Sequence, residues 1–152
     1  MGTVRVLVSS PGTAIGKFLR EELSPEQFEV VEVETGIELV DALEKGAPHV
    51  AVLGRVAERP KTVQAEMRVL RDARSSVAII TVNTAPCTPA TEAISRHAFR
   101  HLCGCSGVAI GPELLRLIRF AADVGVMPVE KAAPYVAIPA NLSIQRPREA
   151  VS

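Results

Sequence analysis

The chain alternates short apolar runs with stretches in which apolar residues recur every three or four positions. Residues 3–9 (TVRVLVS) are β-branched and short, which predicts a strand. Pro11, Gly12 and Thr13 break it, and Ile15, Phe18, Leu19 and Leu23 then follow at helical spacing until Ser24-Pro25. Residues 28–33 predict a second strand, in which Val31 and Val33 alternate with Glu32 and Glu34 as an edge strand would. Thr35 and Glu38 have capping-box spacing and open a helix through Leu43 that Gly46 closes. Residues 49–53 (HVAVL) are a third strand and residues 54–60 a loop. Val63, Met67 and Leu70 mark a third helix.

Residues 77–82 (VAIITV) are the most hydrophobic run and are expected at the centre of the sheet. Thr88-Pro89 reads as a cap with proline at the first helical position, opening a helix through Ala90, Ala93, Ile94 and His97. A short strand is expected at residues 100–103. The last helix starts at Pro112, with Leu114, Leu117, Ile118 and Ala121 on one stripe. Five β–α units in succession predict an α/β fold: a doubly wound, five-stranded parallel sheet of flavodoxin-like type, with helices on both faces. Residues 1–122 form this domain. Residues 123–152 carry Pro128, Pro134, Pro139 and Pro147 without helical periodicity, and are expected to be an extended or disordered tail.

Composition narrows the function classes. Lys+Arg and Asp+Glu balance at 17 each, so no global field favours nucleic acid or an anionic membrane. Aromatics are 3% of the chain and Trp is absent, which gives few faces for stacking on bases. No run approaches the roughly 20 apolar residues of a membrane-spanning helix, and the N-terminus enters a strand pattern without a signal-peptide pattern. The three cysteines do not read as a disulfide framework. A cytoplasmic protein that binds neither nucleic acid nor membrane is expected.

In a doubly wound sheet, ligands sit outside the carboxyl ends of the strands. The residues there are Ser9, Ser10, Gly54, Thr84 and the stretch from Cys103 to Gly107. The order and lengths of the five units, over about residues 3–122, resemble the receiver domain of response regulators. Those domains carry an acidic pair after the first strand and a phosphoacceptor Asp after the third. A Thr or Ser follows the fourth strand and a Lys-Pro the fifth. The resemblance places Ser9 and Ser10 at the acidic pair, Gly54 at the phosphoacceptor and Thr84 at the retained hydroxyl. Cys105 or Ser106 falls at the Lys, and Leu102 or Cys103 at the aromatic switch residue of the fifth strand. Glycine offers no carboxylate nucleophile, and serine hydroxyls are weak magnesium ligands. The resemblance therefore implies a receiver fold without phosphotransfer, an atypical or pseudo-receiver.

Other motifs carry less. Gly12–Lys17 (GTAIGK) has one residue too few between its glycines for a P-loop, and Phe18 stands where a Ser/Thr is needed. His97, His101, Cys103 and Cys105 are the residues a metal would use, with Cys87 near the same rim, but no metal is expected. His97 and His101 share a face only on a continuous helix, whereas His101, Cys103 and Cys105 share one only on a strand. Glu58 and Arg59 are expected to be solvated loop charges. Arg68, Arg71 and Arg74 are expected to form a wet helix face.

The expectation is a non-enzymatic, cofactor-free signalling module that recognises a protein partner, or itself as a homodimer. The contact face would be the fourth helix, fifth strand and fifth helix, through Ile94, His97, Leu102, Leu115 and Phe120. Two alternatives stand beside it. One is a sensor of a small molecule or anion over residues 9–13, Gly54 and Thr84. The other is a metal or redox sensor using Cys103 and Cys105 with His97 or His101.

Overall fold

Among the described residues, alternating strand and helix patterns give ten elements in strict succession. They are β1 (Val4–Ser9), α1 (Ile15–Glu22), β2 (Phe28–Val33), α2 (Gly36–Lys45), β3 (Val50–Leu53), α3 (Pro60–Ala73), β4 (Ala78–Asn83), α4 (Pro89–Ser95), β5 (Arg100–Cys103) and α5 (Ile110–Gly125). The structure is a computed structural model that describes residues 3–85, 87–104 and 109–125. Cys105, Ser106 and the tail from residue 126 onward lie outside the described residues. Residues 123–125, assigned to the tail on sequence, continue α5.

Among the described residues the strands pair in parallel, in the order β2-β1-β3-β4-β5. β2 is an edge, as its valine–glutamate alternation predicts. The most hydrophobic strand, β4, is not the middle one: β3 holds that place and β4 lies between β3 and β5. Both strands are buried along their whole length, so hydrophobicity alone does not rank them.

The period-two alternation of each strand divides the core into two layers. Val6, Val8, Val50, Val52, Ile80, Val82 and Leu102 face α1 and α5, meeting Leu19, Leu114, Leu117 and Ile118. Leu7, Ala51, Leu53 and Ile79 face α2, α3 and α4, meeting Leu39, Val63, Met67, Leu70 and Ile94. On that second face the ends of the strands turn polar. Ser9, Thr81 and Asn83 are buried there and need partners.

Local chemistry sets the helix ends. The Thr35 hydroxyl accepts from the Glu38 amide at 3.1 Å, while the Glu38 carboxylate accepts from the amide of Glu34, not of Thr35. Gly46 ends α2 at φ 156°, a conformation that disfavours side chains. Thr88 and Thr91 cap α4 reciprocally, each hydroxyl accepting from the other's amide, with Pro89 following the cap. α4 stops at Ser95, so His97 lies beyond it. Among the described residues no helix is long and apolar enough to cross a membrane.

Candidate functional site

The chain leaves β1 toward one side of the sheet for β2 and returns to its other side for β3, so a crevice opens at the carboxyl ends of β1 and β3. Ser9 ends β1 and Gly54 follows β3, joined by a bond from the Gly54 amide to the Ser9 carbonyl at 2.9 Å. The sequence expectation brings Ser9, Ser10 and Gly54 together here, and the structure agrees.

What fills the crevice differs from the expectation. Arg59 is not a solvated loop charge: its side chain is 14% exposed and turns inward. Its Nη2 donates to the carbonyls of Ser9 at 3.0 Å and Gly54 at 2.8 Å, and its Nε donates to Gly54 at 3.2 Å. The guanidinium also pairs with Glu66 of α3 at 3.4 Å. Glu66 is itself buried and accepts from the Ser9 hydroxyl at 2.6 Å. Its place beside Val63, Met67 and Leu70 on the inner stripe of α3 takes its carboxylate out of water. A buried carboxylate in that position needs a cation and donors, and Arg59 and Ser9 supply them.

Ser10 and Thr13 complete the near wall. Thr13 Oγ1 lies 2.8 Å from both the carbonyl and the hydroxyl of Ser10. Ser10 packs where a side chain at Gly54 would project: a Cβ there would fall 1.9 Å from Ser10 Oγ and 2.7 Å from Ser10 Cβ. Arg55, at a positive φ of 54°, donates to the Pro11 carbonyl at 3.1 Å and lies 3.8 Å from the exposed Glu58. Glu58 thus fits the reading of a solvated charge.

A second group of polar side chains sits on the rim at β4 and β5. Thr84 is exposed, and a Cβ on Gly104 would lie 3.3 Å from its backbone, so the two strand ends run close together. Cys87, His101 and Cys103 converge, with their ligand atoms all within 4.8 Å of one another. Cys87 Sγ lies 2.9 Å from Cys103 Sγ and 3.9 Å from His101 Nε2. His101 Nδ1 is 2.7 Å from the hydroxyl of Thr81, its register partner on β4. Burial pushes the His101 ring below the ordinary histidine range, which favours the neutral imidazole. The sequence offered His97 or His101 as the companion. α4 stops before His97, and of the two histidines it is His101 that lies beside Cys103.

The expected contact face is only partly a surface. Ile94 and Leu102 are buried in the two core layers and support the face from beneath. His97 is exposed, Leu115 is half-buried, and Phe120 is 47% exposed. Phe120 stacks on Phe99 with ring centroids 6.0 Å apart, and the Arg100 guanidinium lies 4.7 Å from the Phe99 ring. Nor is the arginine face of α3 simply wet. Arg68 is exposed, but Arg71 donates to the His97 carbonyl and Arg74 is half-buried. Burial first, then the charges of Arg71 and Arg96, pushes the His97 ring down.

This architecture occurs in solved structures. The chain superposes on a response regulator from Thermotoga maritima with a TM-score of 0.63 at 12% identity, covering 80% of this chain and 99% of the other. The chain has the receiver fold. A CheY-like protein, tadZ, from Pseudomonas aeruginosa matches with a TM-score of 0.61 at 18% identity, over 78% of this chain and 99% of the other. A CheY-like receiver domain protein from Methanospirillum hungatei gives 0.61 at 17% identity, over 82% and 97%. At such identities the likeness establishes the fold. No family model and no curated protein matches the sequence.

Proposed function

We propose that the chain is a phosphorylation-independent, pseudo-receiver signalling module that acts by protein contact and not as an enzyme. The observation that carries this reading is the Arg59–Glu66–Ser9 network. Where the receiver resemblance calls for an acidic metal site and an Asp nucleophile, the crevice holds an internal guanidinium already matched by its own carboxylate. An acyl phosphate needs a carboxylate at Gly54, and Ser10 occupies the space such a side chain would take first. Glu66 is the buried carboxylate of the crevice, and a divalent cation there would have to displace Arg59.

In this reading the output face is formed by α4, β5 and α5. The receiver-like neighbours make a signalling role the natural use of the fold. Phe99, Arg100 and Phe120 give the face an aromatic and arginine anchor of the kind that concentrates binding energy at interfaces. The partner is a protein, or a second copy of the chain as a homodimer, and the setting is the cytoplasm. The small-ligand reading of the crevice loses ground because the hydroxyls of Ser9, Ser10 and Thr13 are engaged within the protein.

Sedimentation of the full chain against Phe120→Glu tests the contact half of this reading. Concentration-dependent association that the substitution weakens at least tenfold is expected. Association that is unchanged by Phe120→Glu would move the contact elsewhere.

A further inference from the structure

We propose that Cys87, His101 and Cys103 form a binding site for one zinc ion, held by two thiolates and one imidazole. The site lies on the β4–β5 rim, away from the Arg59–Glu66 crevice, and the inference stands apart from the contact reading.

Three observations carry it. The first is the donor set. Two sulfurs and a ring nitrogen are the ligands that a borderline-soft ion such as Zn²⁺ selects over the hard cations bound by carboxylates. Their ligand atoms already lie within 4.8 Å of one another. Tetrahedral zinc, with bonds of about 2.3 Å to sulfur and about 2.0 Å to nitrogen, needs ligand separations of roughly 3.5 to 3.8 Å. Cys87 and His101 stand at 3.9 Å and the two sulfurs at 2.9 Å, so opening the sulfur pair to the tetrahedral separation takes a shift of about 1 Å at the exposed Cys87.

The second observation is orientation. Thr81 and His101 are register partners, and the Thr81 hydroxyl can accept from His101 Nδ1–H at 2.7 Å. That bond leaves the Nε2 lone pair toward the sulfurs, with the Thr81 hydroxyl in the place that a carboxylate, a carbonyl or a water takes beside metal-binding histidines.

The third is positioning of the loop. Asn83 Nδ2 donates to the Ala85 carbonyl at 2.8 Å on one side of Cys87, and the Thr88–Thr91 capping box fixes the other side. Thr88, the residue directly after Cys87, is therefore held by the cap. Among the described residues these three form the ligand group, and a water or an exogenous ligand would complete the tetrahedron. Binding displaces the protons of both thiols to solvent and changes no oxidation state.

The test is titration of the reduced full chain with Co²⁺ without oxygen, followed by displacement with Zn²⁺. One Co²⁺ per chain is expected, with a thiolate-to-metal charge-transfer band and tetrahedral ligand-field bands that Zn²⁺ abolishes. Cys87→Ser and Cys103→Ser should each remove the charge-transfer intensity or halve it with much weaker binding. Thr81→Val should weaken binding by about tenfold, and His97→Ala should leave it unchanged. Circular dichroism of the exposed-loop variant Cys87→Ser checks that the fold is intact. Absence of thiolate charge transfer would overturn the site, as would binding that survives Cys87→Ser but is lost in Cys105→Ser. A reduced chain that binds no ion and simply oxidises to a Cys87–Cys103 disulfide would overturn it equally.

Discussion

Arg59 and Glu66 face each other at 3.4 Å across the mouth of the β1–β3 crevice, both largely shielded from water. The pair ties the loop after β3 to α3 and, through the Ser9 and Gly54 carbonyls, to the ends of two strands. Removing one member leaves the other charge buried and unmatched. Arg59→Ala is expected to destabilise the protein by about 3 to 5 kcal/mol, measured by urea denaturation. The double variant Arg59→Met/Glu66→Leu should recover most of that loss, since an apolar pair leaves no orphan charge. If Arg59→Ala costs under about 1 kcal/mol, the pair is a solvated one of the surface kind.

Gly54 tests the crevice from the other wall. Gly54→Asp restores the carboxylate that a receiver uses, but its Cβ meets Ser10 Oγ at 1.9 Å. The expected result is a loss of about 1 to 3 kcal/mol and no phosphorylation. Ser10→Ala in that background relieves only part of the strain, because Ser10 Cβ would still lie 2.7 Å away. Thermal unfolding of the three proteins, with intact mass after phosphodonor treatment, reads both effects.

The two apolar residues Ile94 and Phe120 should separate core from surface. Ile94 is 1% exposed and Phe120 47% exposed. Ile94→Ala is expected to cost about 2 to 5 kcal/mol of stability. Phe120→Glu should cost about 1 kcal/mol, chiefly the stacking on Phe99, with its larger effect on association. Paired denaturation and sedimentation measurements distinguish these roles.

The three histidines make stability depend on pH in one direction. His49, His97 and His101 are all pushed below the ordinary histidine value, first by burial; His49 also feels Arg74, and His97 also feels Arg71 and Arg96. Near pH 6 the unfolded chain therefore binds more protons than the folded one, so stability rises with pH there. The full contribution is present above the unfolded value near 6.5 and falls away as pH drops below it. Denaturation at a series of pH values from about 5 to about 7.5 should show this rise, and His101→Gln should flatten it.

The element order was legible because β1 to β4 are short runs rich in β-branched residues, and α3 and α5 each keep one apolar stripe. Val63, Met67 and Leu70 located α3, and Thr88-Pro89 located the start of α4. The Arg59–Glu66 pair was not read, because a loop arginine and a helical glutamate reveal their pairing only once the chain has folded. A signal was present all the same: Glu66 sits on the apolar stripe beside Met67, where an unpaired carboxylate is costly. The rim cluster was half legible. Strand alternation joins His101 to Cys103 and the loop after β4 brings Cys87 near the same rim, but the exclusion of His97 depends on where α4 stops.

Whether the folded chain accepts a phosphoryl group is read by intact-mass measurement. The full chain is incubated with a small-molecule phosphodonor and Mg²⁺ and sampled without acid or heat, so that an acyl phosphate would survive. An unshifted mass and unchanged association are expected. A stable adduct of one phosphate on the folded chain would contradict that expectation.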